Sequence, residues 1–291
     1  MQIALHIGAH ATDNEQIVGC LLGNRSTLAE RGIVVPEPQR YRPVIRETLK
    51  LLRNQEVPPD AQEAVMDAVL GTDNPKRLIL SHEGFLGPAG NSVGENMLYP
   101  HTDGRTRELV SMFARHELEI FLAVQDPATF VPSAFSKAQE PDFAVWTAGT
   151  DPMTLRWSDM IDRLRDAAPD AEICVWCNED TPMIWPQVIE AIVGGGDMRD
   201  MIGLNAFLGS LMGPAGLKRL ESYLADHPPK SEDQRRRVVA AFLEKFARDE
   251  VLEQEIDLPG WTASYVDALT DLYDEDVARI AQMRDVRFIA P

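Results

Sequence analysis

An alternation constrains this chain more than any other feature. Over residues 1–185, apolar runs of strand length alternate with longer stretches of helical period. The apolar runs are residues 3–7, 77–81, 118–124 and 172–177; in the first, Ile3, Leu5 and Ile7 alternate with Ala4 and His6, the period of a strand. The intervening segments 14–31, 60–70, 105–116, 127–139 and 151–167 read as helices. In the first of these, Ile17, Cys20, Leu21 and Leu28 share a face before Gly32 ends the pattern. Pro127 stands at a first helical position, where its missing N–H costs nothing, and Asp151 precedes Pro152 as a cap. Strands alternating with helices build βαβ units, and with them a parallel sheet.

Beyond Pro186 the pattern is almost wholly helical. Residues 214–226, 231–251 and 262–284 are the expected helices, separated by Gly194-Gly195-Gly196, Pro228-Pro229 and Pro259-Gly260. Residues 286–289 read as a short last strand. The expectation is one α/β domain over residues 1–291, a three-layer parallel sheet flanked by helices. Residues 1–185 form the sheet core, 186–285 a mainly helical region and 286–291 a possible short strand.

Charge limits the partners. Of 291 residues, 46 are acidic and 28 basic, a formal net charge of −18, which disfavours nucleic acid and anionic membranes. No apolar run approaches the length of a membrane span. The first basic residue is Arg25, so the N-terminal stretch does not read as a signal peptide. Three cysteines, an odd and sparse number, fit a reducing compartment, and a cytoplasmic location is expected. Cys174 and Cys177 share a predicted strand, where residues three apart point to opposite faces, beyond disulfide reach.

In an open parallel sheet, ligands bind beyond the carboxyl ends of the strands. That rule selects segments 8–15, 81–84, 125–127 and 178–181. The first has the setting of a phosphate loop, with a strand, small residues and a helix start, but it lacks the glycines and the lysine of the usual motif. Asp13 and Glu15 stand at the helix start instead. They favour the helix and repel a phosphate.

The run Leu5-His-Ile-Gly-Ala-His-Ala-Thr-Asp-Asn-Glu-Gln-Ile17, with Asn24-Arg25, Leu28 and Gly32-Ile33, resembles the opening of bacterial sulfotransferase-like proteins. Residues 77–83 resemble their second strand and turn, 121–133 their strand and helix for the cofactor 3′-phosphate, and Tyr273, Asp276-Val277 and 286–291 their end. The resemblance implies a P-loop-type fold and places Gly8, Ala9, His10, Ala11, Thr12, Asp13, Asn14, Gln125 and Ser133 at cofactor-binding positions, the cofactor being 3′-phosphoadenylyl sulfate. Ala11 stands where the family has its catalytic lysine, Gln125 where it has the arginine for the 3′-phosphate, and residues 13–15 where it has Gly-Thr-Thr; only Ser133 keeps its place in the 3′-phosphate motif. Each charge-assisted hydrogen bond lost costs about 1.5–3 kcal/mol.

Two candidates for catalysis remain, Glu83 as general base and His10 as a donor to a ligand oxygen. His6 reads as a satisfied buried histidine. If the four segments converge, Asp13, Glu15, Glu83, Asp126, Glu179 and Asp180 face only His10 and His82, an acidic cleft. The leading expectation is a sulfotransferase-like protein degenerate in cofactor binding, a pseudoenzyme that binds a protein partner or an alternative small molecule. The alternative is an active sulfotransferase with a rearranged loop, its cations supplied by Arg105, Arg107 or Lys137. A nucleotide kinase or NTPase lacks its lysine and magnesium partner. His82, His101, Glu83, Asp103 and Asp126 match no tight metal-ligand spacing, so no metal site is assigned.

Overall fold

The computed structural model describes residues 1–52, 55–70, 74–248, 258 and 260–291. Six strands form one parallel sheet. In chain order these are β1 (Gln2–His6), β2 (Ile33–Val34), β3 (Arg77–Ser81), β6 (Glu117–Val124), β7 (Glu172–Cys177) and β8 (Val286–Ile289), arranged β2-β3-β1-β6-β7-β8. A separate antiparallel pair, β4 (Val93–Gly94) and β5 (Met97–Leu98), lies between β3 and β6 in the chain. β1 is central and pairs with β3 and β6, with Leu5 beside both Leu80 and Ile120.

Side-chain alternation sorts the strands into two cores. Ile3, Leu5, Leu80, Ile120, Leu122 and Val175 belong to one; Ala4, Ile79, Phe121, Ala123, Cys174 and Trp176 belong to the other. The first core is covered by α3 (Pro38–Leu52), α4 (Pro59–Leu70), α5 (Thr102–Met112), α6 (Pro127–Lys137), α8 (Trp157–Ala167) and α12 (Ala263–Ile280). The second is covered by α1 (Gln16–Gly23), α2 (Arg25–Glu30) and α9 (Thr181–Val193). A sheet buried on both faces needs apolar residues at successive positions, and the three layers follow. A smaller cluster of Leu208, Met212, Leu220 and Val239 joins α10 (Ala206–Asp226) to α11 (Glu232–Phe246). Among the described residues, the remaining helix, α7 (Phe143–Thr147), is one turn long.

The expected strands are all present. Cys174 and Cys177 fall in opposite cores as free thiols, and burial pushes both up to about 12. Several helices differ from expectation. The helix over 14–31 is two, broken at Asn24 (φ −106°, ψ 15°), whose buried side chain is tied down: its Nδ2 donates to the carbonyls of Cys20 and Ile202, and its Oδ1 accepts from Ile202 N. The helix over 151–167 begins only at Trp157. Leu155 and Arg156 are extended, and Asp276 Oδ2, arriving from α12, accepts from Trp157 N at 2.6 Å and Ser158 N at 3.1 Å. The helix expected from Pro214 is preceded by a further helical segment from Ala206, and the two meet at a kink inside α10 where Gly213 adopts φ 73° and ψ 171°, a conformation open to glycine. The helix expected over 231–251 runs from Glu232 to Phe246 and stops where Ala247 turns extended; residues 249–251 of that expectation lie outside the described residues.

Candidate functional site

The loop after β1 is built against the ends of β6 and β3. Ala9 N donates to Ala123 O and Ala123 N to Gly8 O, so the chain continues its pairing past the strand. Gly8 has φ +109°, and a Cβ there would lie 3.3 Å from Glu83 Cα. The close approach of two strand ends therefore requires glycine. Ala11, Asn14 and Glu15 have φ of 62°, 46° and 67°, a left-handed region that costs residues with a Cβ about 1–2 kcal/mol each.

The loop's groups find partners within the protein. Ala11 N donates to Glu83 Oε2 at 3.0 Å. Lys137 Nζ, from the last turn of α6, contacts both Glu83 oxygens at 3.0 and 2.8 Å. Thr12 Oγ1 donates to Ala9 O, and Asp13 Oδ2 accepts from Ile17 N. Glu15 forms a two-pronged pair with Arg42 of α3 at 3.0 and 2.8 Å, and Arg42 also donates to Ser81 O. Burial alone would raise Glu83; hydrogen bonds from Lys137 and Ala11, with the lysine's charge, outweigh it and hold the carboxyl below its ordinary value. Glu83 is thus an ionised acceptor at neutral pH, more weakly basic than a free carboxylate.

His10 is locked from both sides. Its backbone N–H donates to Tyr99 Oη at 3.0 Å, and the same hydroxyl lies 2.8 Å from Nδ1. Where the Tyr99 hydroxyl gives its proton to Nδ1, the ring hydrogen sits on Nε2. Burial lowers the ring's pKa and favours the neutral ring at neutral pH. His6 is 1% exposed. Its Nδ1 lies 2.8 Å from Ser81 Oγ, but its Nε2 has no partner among the described residues, so it is only half satisfied.

Gln125, which follows β6, and Ser133, on α6, diverge from the loop's pattern. Gln125 Nε2 donates to Thr129 Oγ1 at 3.0 Å, and its buried Oε1 has no partner among the described residues. An unpaired buried acceptor calls for a donor and opposes an anion. Ser133 is partly buried on α6. Asp126 and Glu179 form a separate group: Asp126 caps α6 through Ala128 N and accepts from Thr270 Oγ1, while Glu179 accepts from Asp126 N and Tyr273 Oη. Burial raises Glu179.

The acidic cleft expected from the sequence does not form. Asp13, Glu15, Glu83, Asp126 and Glu179 are each engaged by donors; of the six acids, Asp180 included, Glu83 alone lines the pocket beside the loop, and that pocket carries the opposite charge. It measures about 460 Å³ and is lined by His10, His82 and Glu83 together with Arg42, Arg46, Lys50, Arg105 and Lys137. Lys137 and Arg105 are among the cations expected to reach the site; Arg107 lines a different concavity. Arg42, Arg46 and Lys50 were not anticipated, although their spacing of four on 38–52 is legible once that segment is read as a helix. Among the described residues, no three His, Cys, Asp or Glu side chains gather as a metal site, and no helix is long and apolar enough to cross a membrane.

No protein-family model matches the chain, and neither a curated protein nor a solved structure does.

Proposed function

We propose that this chain is a sulfotransferase-like protein whose cofactor site is degenerate and which acts by binding a ligand other than the nucleotide. The observation that carries the reading is the Glu83 carboxylate on Ala11 N–H, backed by Lys137. A phosphate loop works by offering free N–H groups and positive charge to an anion. Here the chain's own carboxylate takes the N–H and its own lysine. Asp13 takes a further donor at the start of α1, and the buried Oε1 of Gln125 has no partner among the described residues. These residues do not fit 3′-phosphoadenylyl sulfate.

The test is a calorimetric titration of the purified chain with adenosine 3′,5′-bisphosphate at low and moderate salt. The expected result is no saturable heat at millimolar ligand. Micromolar binding at one site would overturn the reading.

One observation favours a second reading, an active sulfotransferase with a rearranged loop. Lys137 brings a cation from α6 to the loop position where Ala11 supplies none. Sulfuryl transfer to a hydroxyl acceptor, present in the native chain and lost in Lys137→Met with the fold intact, would support it.

A further inference from the structure

The helix α3 carries two adjacent rows at intervals of four. Tyr41, Ile45 and Leu49 are buried, and beside them Arg42, Arg46 and Lys50 border the pocket. Residues four apart lie on one face of a helix, so the pocket has an apolar wall with a basic edge. Phe85, Pro88 and Ala89 complete the apolar side. Its volume of about 460 Å³ lies within the usual range for small-molecule sites.

The basic edge is unevenly neutralised. Arg42, Arg105 and Lys137 each have a carboxylate, from Glu15, Glu108 and Glu83 respectively. Among the described residues, Arg46 and Lys50 instead share a single oxygen, Glu47 Oε1, at 3.2 and 3.3 Å. Two cations on one carboxylate leave a positive charge at the mouth of an apolar pocket, in a chain whose net charge is −18. A second concavity of about 770 Å³ shares Leu49, Lys50, Gly87 and Arg105 with the first. Lys50 and Arg105 therefore stand where the two join.

We propose that this pocket binds a small amphipathic anion, with an apolar body seated on Leu49, Phe85 and Ala89 and a phosphate-class head held by Arg46, Lys50 and Arg105. Guanidinium groups match phosphate oxygens in a two-pronged fashion, and lysine adds a mobile point charge. The proposal rests on the reading above, in which the ligand is not the nucleotide, and it names that ligand's class.

Calorimetry on the full chain with octyl phosphate, octanol and inorganic phosphate, each as free monomer in 0.1 M salt, tests it. Octyl phosphate is expected to saturate one site at least tenfold more tightly than either fragment. Arg46→Gln/Lys50→Gln removes two exposed charges and is expected to weaken octyl phosphate at least tenfold with Tm unchanged. Octyl phosphate no tighter than octanol or inorganic phosphate would overturn the proposal. So would an affinity that the double variant leaves intact, or binding confined to phosphatidic-acid vesicles. Failure of octyl phosphate while adenosine 3′,5′-bisphosphate is also silent overturns this proposal alone; saturation by the bisphosphate overturns the reading beneath it.

Discussion

Glu83 sits between opposing influences, and one substitution separates them. Burial favours its neutral form, while Lys137 and the Ala11 N–H favour the carboxylate and prevail. Its folded pKa is thus below the unfolded value near 4.3, so the contribution to stability is complete above that value and is lost as pH falls through the folded pKa. In Lys137→Met the cation is gone and burial remains. The Glu83 titration midpoint, followed by carboxyl carbon NMR, is expected to move upward, with a loss of about 1 kcal/mol or less at neutral pH for a partly exposed pair. A midpoint that stays put would mean that Ala11 alone holds the charge. The residues of this loop were legible in the sequence; their partners were not. Nothing in the spacing of residues 8–15 tells that Glu83 will turn back onto Ala11, since the contact depends on where β3 ends beside β1.

Helices were legible where caps and period agreed, and obscured where a partner from elsewhere decided. Asp126 before Pro127 announces α6, and Asp126 Oδ1 does accept from Ala128 N. Residues 38–52 contain Pro38 and Pro43, breaker signals that hid a helix whose Tyr41, Ile45 and Leu49 face the core; the basic row on that helix was hidden with it. The start of α8 is the reverse case. Asp151 and Pro152 look like a helix start and make only a short 3-10 turn. The cap that starts the helix proper is Asp276, over a hundred residues away in sequence and 5% exposed. Asp276→Ala would leave two N–H groups at a buried helix end without an acceptor, a loss expected at about 2–3 kcal/mol in urea unfolding. Asp276→Asn keeps an oxygen there and should recover about half of it. Equal losses in both variants would assign the effect to packing of the side chain instead of to the cap.

At the scale of the molecule, the two-sided sheet was plain from the alternation of apolar positions, because burial on both faces writes itself into successive residues. Charge was not plain at this scale. A net −18 predicts a repulsive surface for anions, yet α3, α5 and α6 gather their basic side chains around one pocket, which composition averages away. The same region makes the fold sensitive to acid. Burial lowers the pKa of His6 and His10, and burial with Arg42 nearby brings His82 to about 4. Unfolded, each histidine titrates near 6.5. As pH falls from about 6.5 toward 4, the unfolded chain takes up protons that the folded chain refuses, so stability declines across that window. His82 alone accounts for on the order of 3 kcal/mol at its lower end. Glu179 and Asp180 act in the other direction, since burial raises them and the folded state protonates them first. Urea midpoints measured at intervals from pH 7 to pH 4 are expected to fall steadily, and His82→Gln to make the decline shallower while changing little at pH 7. A native midpoint that is flat from pH 6.5 to 4.5 would show that these rings take up protons in place, and with that the neutral His10 at the centre of the candidate site would have to be abandoned.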